Sequence, residues 1–596
     1  MRPKPSPCEI LFGALCRFLL LALLVTFSTG AFSAVSSASQ PRHVTLIVCP
    51  GLTYDTLYAH FSTRDLPFDM AEGLLSPGNA RKPDPVANLY ATLYAGDTAN
   101  TKNPNRTLLM RLITAADPPG RVMVVPSATV DEAGLIARSG MQQGDLVILC
   151  GLPPVNPRTH EWNRLPVALI GDNSHYWGHK TLTSDTTQTA GLVALRDIAP
   201  TALSYAGIAI PGTMSGHVIA GELSPDSNDS LLYGMDRLAH LNQLVLLPSM
   251  WAWGGISLVA LLTSLWSLSK GITLRPALQR YLLRVMAGTP LALMLAAIPV
   301  PANAWSYGLT ILGVALLLGA IPRMDALMTL TAAAIAVDGL TGSPMVSRSA
   351  LSGYWISGIR FYGIGNEYMG ILLGGALVSA YAAAKRWPEG IRSPKGAALL
   401  GLWFALVLFV LSYPAFGAKA GGAVTAMAAF APAWFALVRG QRIDWRICAM
   451  SAVAGFALVF VWAALASLTG GRSTHIQAAA AHASHGDIGY IWHIAVRKAK
   501  MAFLTATVPG VIATYIGLVP VWFLWRKTAL KDRVREFLST DPALAAVMRA
   551  AAAGSIAALL FNDSGFVPFV LIFAALCWTL LHEMLGRADQ RGHLNP

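Results

Sequence analysis

Apolar and polar positions are distributed along the chain in three regimes. Arg2 and Lys4 precede a largely apolar run from Ile10 to Phe27, which gives way to mostly small residues from Ser28 to Ser39. That order of charge, apolar core and small-residue exit predicts a secretory signal over 1–40. It would be cleaved after Ser33 or Ala38, or kept as a signal anchor. From 41 to about 240 the polarity is mixed, prolines are frequent and no apolar run reaches membrane length. This reads as a separate folded domain of about 200 residues. Past Gln243 apolar stretches recur near 243–266, 281–300, 304–321, 325–341, 367–384, 397–413, 421–438, 447–468, 505–525, 544–561 and 566–584. A helix needs about 20 apolar residues to cross a bilayer, so the pattern predicts an all-α block of about eleven spans over 243–585, with a short tail at 586–596.

Within 41–240, His43–Cys49 (HVTLIVC) and Asp145–Cys150 (DLVILC) are continuous apolar, β-branched runs that stop at turn residues, the signature of buried strands. Val122–Val125 and Pro166–Ile170 are shorter candidates, and Thr129–Ser139 has helical character. Alternating strands and helices predict an α/β domain with a mainly parallel sheet.

Composition agrees with the membrane reading. Hydrophobic residues make up 54% and charged residues 13%, with a mean hydropathy of +0.51, against about 25% charged residues in a soluble protein. The net charge of +13 would suit nucleic acid if it formed one patch. Instead the basic residues fall in short loops between apolar segments, which excludes that reading. Placing 41–240 outside puts Lys270, Arg275, Arg280 and Arg284 inside, then Arg323, then Lys385, Arg386, Arg392 and Lys395. Arg439, Arg442 and Arg446 follow on the same side, then Arg526, Lys527, Lys531, Arg533 and Arg535. The alternation predicts an extracytoplasmic domain and a cytoplasmic C-terminus in a bacterial plasma membrane. None of the six cysteines forms a CxxC pair, so zinc-ribbon and thioredoxin-like chemistry have no support.

The segments LPVALIG (165–171) and GLVALRDIAPTALSYAGIAIPGTMSGHVI (191–219), with LIVCPGLTYDTLY (46–58), resemble the alkaline phosphatase superfamily. Asp197, Pro200, Thr201, Gly207, Pro211, Met214 and Gly216 match, in order, a closing motif found in its phosphoglycerate mutase and sulfatase branches. The resemblance covers roughly 43–220 and implies an alkaline-phosphatase-like core. It also implies two divalent metals held by Asp and His and a Ser or Thr nucleophile. The chain departs from that pattern where the metals should bind. The first strand ends at Pro50, the later one at Cys150-Gly151-Leu152, and Thr92 alone supplies an aliphatic hydroxyl in PDPVANLYATLYAG. Proline, glycine and leucine carry no ligand atoms, and a thiol suits a hard cation poorly. The expectation is a degenerate domain, a pseudoenzyme that binds or scaffolds. His160, Asp172, His175, His179 and Asp185 stay open as a relocated metal site or as polar loop residues. Cys49 and Cys150 end two strands whose counterparts approach the metals, and an oxidising compartment permits a disulfide between them. Two buried free thiols are the alternative.

In the membrane block, polar groups gather on the predicted outer side. Asp338 ends one helix, and Arg360, Asn366 and Glu367 surround the start of another. Lys419 lies in FGAKAGG, Arg472 in a long loop, and Asn562, Asp563 and Ser564 form a turn between the last two spans. His475, His482 and His485 lack tight ligand spacing. Ionisable groups at membrane depth are expensive and mark sites. Glu367, Asp563 and Asp338 are catalytic candidates and supply oxygen ligands for a divalent cation. Arg360, Asn366, Lys419, Arg472, Asn562 and Ser564 are substrate-binding candidates suited to phosphate. Together they predict recognition or processing of a polyprenyl-linked or phospholipid substrate at the outer leaflet. RFYGIGNEYMG and NDSG also resemble segments of a bacterial membrane family with an alkaline-phosphatase-like exported domain, which implies architecture only. The ethanolamine-phosphate transferases of glycolipid anchors share the overall plan, as an analogy. Enzyme (transferase or hydrolase) and transporter or flippase remain open, as does a phosphatase with a relocated metal site.

Overall fold

A computed structural model describes residues 43–50, 52, 69–76, 122–126, 129, 131–133, 136, 145–152, 165–171, 180–211, 214, 216–223, 228–270, 275–352, 361–468, 496 and 519–594. The proposed signal and the loops carrying Arg360 and Arg472 lie outside these, as do Thr92, His160, Asp172, His175, His179, His475, His482 and His485.

The first part of the described chain builds one sheet from β1 (Val44–Pro50), β2 (Asp69–Ser76), β3 (Val122–Pro126), β4 (Leu146–Leu152), β5 (Leu165–Gly171), β6 (Lys180–Ser184), β7 (Leu192–Ala194) and, after helix α1 (Ile198–Tyr205), β8 (Ile219–Leu223). The strand order is β3-β1-β4-β5-β2-β6-β8, with β7 also beside β2. The continuous apolar runs are strands buried on both faces, as expected of central strands. Val44, Leu46 and Val48 join one core with Ile148, Leu169 and α1. Ile47 and Cys49 join a second core with Leu149 and Ala133 on the opposite face.

The expected mainly parallel sheet is corrected to a mixed one. β1 pairs in parallel with β3 and β4, and β2 with β6 and β7. β5 returns antiparallel between β4 and β2, and β8 runs antiparallel to β6. An antiparallel return needs no crossover helix, so the spacing of apolar runs could not distinguish the two arrangements.

Helix α2 (Asn228–Lys270) then runs for 43 residues, roughly 65 Å at 1.5 Å per residue. That is about twice the hydrocarbon thickness of a bilayer, and its first turns pack Leu232, Met235 and Ala239 against Leu192 of the sheet domain and Phe361. The bundle continues as α3 (Pro276–Leu295), α4 (Ala304–Gly319), α5 (Met324–Leu340), α6 (Pro344–Arg348), α7 (Asn366–Arg386), α8 (Pro388–Arg392), α9 (Pro394–Ser412), α10 (Ala420–Arg439), α11 (Trp445–Leu468), α12 (Leu530–Thr540), α13 (Pro542–Phe561) and α14 (Phe566–Leu594).

Among the described residues 7 helices are long and apolar enough to span a membrane: most of α2, then α7, α9, α10, the first part of α11, α13 and most of α14. They account for seven of the about eleven expected spans, and the rest of that count is not shown. α4 and α5 are helices of 16 and 17 residues, below spanning length. α3 is long enough but opens on the charged turn PALQRYLLR. Most of 505–525 lies outside the described residues.

α7 is the central helix. A Cβ on Gly374 would sit 2.6 Å from the Cβ of Ala575 on α14, and one on Gly375 would sit 2.8 Å from the Met328 carbonyl on α5. Two adjacent glycines therefore admit close backbone approach on both sides, the small-residue packing that membrane helices favour. The two ends of α7 differ in chemistry. At its C-terminal end Arg386 pairs with buried Asp325 at 2.5 Å, Lys385 pairs with Glu583 at 2.6 Å, and Tyr381 donates to Asp541 at 2.9 Å. Its N-terminal end carries the polar groups described next.

Candidate functional site

In the sheet domain the closing motif folds into a tight polar knot. Asp197 is 0% exposed, and its carboxylate accepts from Ser184 Oγ (2.7 Å), Thr186 Oγ1 (2.5 Å), Ala194 N (2.9 Å) and His217 N (2.9 Å). Thr201 Oγ1 donates to the Asp197 carbonyl at 2.6 Å and accepts from Ile219 N at 2.9 Å. These bonds tie β6, β7, α1 and β8 together. Gly216 is demanded by the same knot, because a Cβ there would lie 2.0 Å from the Arg196 carbonyl oxygen. Burial pushes the Asp197 carboxyl up from its ordinary value, and the four donated bonds pull it back. With every carboxylate lone-pair direction engaged, Asp197 acts as a structural fastener.

Cys49 and Cys150 are both free and buried, which corrects the proposed disulfide. Val48 stands opposite Cys150 in the β1–β4 register, and Cys49 stands opposite Gly151. An offset of one residue sends the two thiols to opposite faces of the sheet, Cys150 into one core and Cys49 into the other. Burial raises the Cys49 thiol to about 11 and the Cys150 thiol higher still, so both are unreactive neutral thiols. Among the described residues no group of three or more His, Cys, Asp or Glu is placed to hold a metal ion.

In the membrane block the sequence candidates separate into three groups. Asp338 is 2% exposed and is committed to its own turn. Its two carboxylate oxygens accept from Met345 N (2.8 Å) and Val346 N (2.9 Å), capping the short helix α6. Asp563 is exposed in the turn between α13 and α14. Glu367 is half-buried in the first turn of α7 and folds back toward Gly365 and Ser352, since a Cβ on Gly365 would lie 2.9 Å from both Glu367 Oε2 and Ser352 Oγ.

Asn366, Lys419 and Ser564 do converge. Lys419 Nζ donates to Asn366 Oδ1, and Asn366 Nδ2 donates to Ser564 Oγ. Beside them Asn562 Nδ2 donates to Thr425 Oγ1 at 3.0 Å and to the Ala558 carbonyl at 3.1 Å, joining the end of α13 to α10. The chain folds this way locally because glycines let three loops meet backbone to backbone. Gly363 has a φ of +78°, and a Cβ on it would lie 2.5 Å from the Gly417 carbonyl. A Cβ on Gly421 would lie 2.3 Å from the Phe561 carbonyl.

The cluster sets a cation at helix starts that also carry Glu367, in the first turn of α7. Lys419 is only 6% exposed and is the N-cap residue of α10, while Asn366 and Ser564 lie at the starts of α7 and α14. No side chain caps the N-terminus of α7 or of α10. Helix N-termini carry positive partial charge and unpaired N–H groups. A buried ammonium at the meeting point of three of them makes the cluster suited to an anion. The sheet domain reaches the same place, because Thr189 Oγ1 donates to the Phe361 carbonyl at 3.4 Å, five residues before Asn366.

No protein-family model, curated protein or solved structure matches the chain. Sequence reasoning missed Thr425, which lies inside an apolar helix, and Tyr368, whose hydroxyl meets Ser349 Oγ at 2.7 Å. Tyr368 follows Asn366 and Glu367 directly, and that adjacency was the available signal.

Proposed function

We propose that the protein is a cell-envelope membrane protein that binds the phosphate-bearing head of a lipid-linked substrate where Asn366, Lys419 and Ser564 meet. The observation that carries this reading is the buried Lys419 ammonium bonded to Asn366 at the converging N-termini of α7, α10 and α14. A cation so placed is disfavoured by the helix dipoles and is stabilised by an oxyanion. The opposite end of α7 carries Lys385, Arg386 and their carboxylate partners. That polarity supports a topology with the basic end cytoplasmic and the Lys419 end, with the sheet domain, outside.

In this reading the sheet domain is a degenerate relative of the alkaline phosphatases, used to bind or position the substrate over the membrane site. Two features support it: the strand ends that would carry metal ligands in that superfamily are Pro50 and Cys150-Gly151 in this sequence, and Asp197 serves the fold. The test is genetic and chemical. A deletion strain should change the profile of polyprenyl-phosphate-linked or phospholipid species measured by mass spectrometry. Lys419→Met should reproduce that change at normal protein level, and Lys419→Arg should restore most of the wild-type profile. An unaltered lipid and glycan profile in the deletion strain would sink the proposal.

A further inference from the structure

A second polar cluster lies at the other end of the bundle, between α3 and α14, and none of its members belongs to the site above. His582 is 4% exposed. Its Nε2 lies 3.1 Å from Arg284 Nη1, and a guanidinium can only donate, so Nε2 is the acceptor and the neutral ring carries its proton on Nδ1. That Nδ1–H is buried with no hydrogen-bond partner among the described residues. Arg280 lies one helical turn before Arg284 on α3, on the same face. Its Nε is likewise buried with no hydrogen-bond partner among the described residues, while its Nη1 forms a long ion pair with Asp589 at 3.9 Å.

Arg284 itself donates to the carbonyls of Gly319 (2.8 Å) and Pro322 (3.4 Å) and meets no carboxylate among the described residues. Lys385, also close by, is already paired with Glu583. Gly586, one turn after His582, contributes no side chain: even a Cβ there would be 3.5 Å from Arg280 Cζ.

Buried polar atoms are almost always satisfied, and an orphan costs about 1–3 kcal/mol. Here two orphans on facing helices are both N–H donors, and they flank the Arg284 guanidinium, whose charge no carboxylate meets among the described residues. Their common complement is an acceptor bearing negative charge; a cation or an apolar group would leave both donors unmet. We infer that Arg280, Arg284 and His582 form an oxyanion site that takes a phosphate group, from an anionic phospholipid head or from free phosphate. The cluster lies at the end of the bundle that carries Lys385 and Arg386, which in the topology proposed above faces the cytoplasmic leaflet, where anionic lipid heads are concentrated.

The test uses the full chain in nanodiscs of phosphatidylcholine alone or with one quarter phosphatidylglycerol, and inorganic phosphate titrated into the first. Unfolding is followed by tryptophan fluorescence, for which Trp578, one turn from His582 and 6.4 Å from Trp253, is a local reporter. The wild type should be stabilised by phosphatidylglycerol, which assigns a lipid head, or by inorganic phosphate alone, which assigns a soluble oxyanion. Arg280→Gln should weaken the apparent affinity roughly tenfold, while Arg442→Gln, which removes an exposed charge at the same end, should not. If Arg280→Gln unfolds in pure phosphatidylcholine, Arg280→Lys, which keeps the charge and removes the Nε donor, is scored instead by counting retained phosphatidylglycerol in native mass spectra. No stabilisation of the wild type by either probe, or equal responses of the position-280 and position-442 variants, overturns the inference.

Discussion

Replacing Asp197 tests whether the closing motif is a fastener or a spare catalytic carboxylate. In Asp197→Ala four donors lose their acceptor, and two of them, Ala194 N and His217 N, are backbone groups that cannot reorient. Ser184 and Thr186 hydroxyls can turn elsewhere, as Ser184 already lies 3.4 Å from Thr187 Oγ1. Two orphaned buried N–H groups at about 1–3 kcal/mol each, less the relief of burying a carboxylate, give a net loss of about 3 kcal/mol. Asp197→Asn keeps one oxygen and turns an amide NH2 toward a pair of donors, so one backbone N–H is stranded at about 1–3 kcal/mol. The assay is amide hydrogen exchange, followed by mass spectrometry, on strand peptides covering β1 and β4 in the full chain. At 1.4 kcal/mol per decade, the alanine variant should lose roughly a hundredfold in protection there, and none in α7. The pH dependence has a definite sign. Burial raises the folded carboxyl above its ordinary value of 3.8, so the folded state binds the proton more readily than the unfolded one. This contribution is fully present below the ordinary value and is lost as pH rises through the folded pKa. The asparagine variant should lack that component. Wild-type protection in the alanine variant would refute the fastener, and an asparagine variant with the wild-type pH profile would refute the titration argument.

Other expectations are quicker to check. Both Cys49 and Cys150 should react with a thiol reagent after denaturation without reductant, and a disulfide-linked peptide pair in the digest would contradict the opposite-face placement. Arg386→Gln leaves Asp325, 6% exposed, with only Arg323 Nε at 3.3 Å and the Ala326 N–H, and should cost about 1–3 kcal/mol; Asp325→Asn in the same background should recover part of that loss in a thermal melt in detergent. Asp338→Ala removes the acceptor for Met345 N and Val346 N and should cost about 0.5–2 kcal/mol. If it instead abolishes function without changing the melt, the capping role is insufficient and the carboxylate acts chemically.

What the sequence revealed depended on which interactions carry a periodic signature. Buried strands such as β1 and β4 are continuous apolar runs, and segments such as 367–384 and 421–438 coincide with α7 and α10, because burial of a whole element imprints composition on every residue. Strand direction leaves no such imprint, which is why β5 entered antiparallel against expectation. Register leaves none either: a one-residue offset separated two cysteines that looked like partners. The polar candidates were legible as residues but not as roles. Asp338 and Glu367 look alike in sequence, yet the turn at Ser343, with a φ of +63°, swings the N–H groups of Met345 and Val346 onto Asp338 alone.

The two ends of α7 show why polar groups at membrane depth divide into fasteners and sites. At the Arg386 end, Asp325, Asp541 and Glu583 each meet a cation or a hydroxyl, so charge is closed within the bundle. At the Asn366 end the chain brings a lysine to the starts of three helices, where backbone dipoles oppose it. Acidic groups are the ones a helix N-terminus stabilises, and Glu367 in the first turn of α7 meets that preference, whereas Lys419 at the start of α10 runs against it. The same logic separates Arg386, neutralised by Asp325, from Arg284, which faces carbonyls and an imidazole nitrogen. Both proposed sites gather hydrogen-bond donors where helices of the bundle meet: Lys419, Asn366 and Ser564 in one, Arg280, Arg284 and His582 in the other.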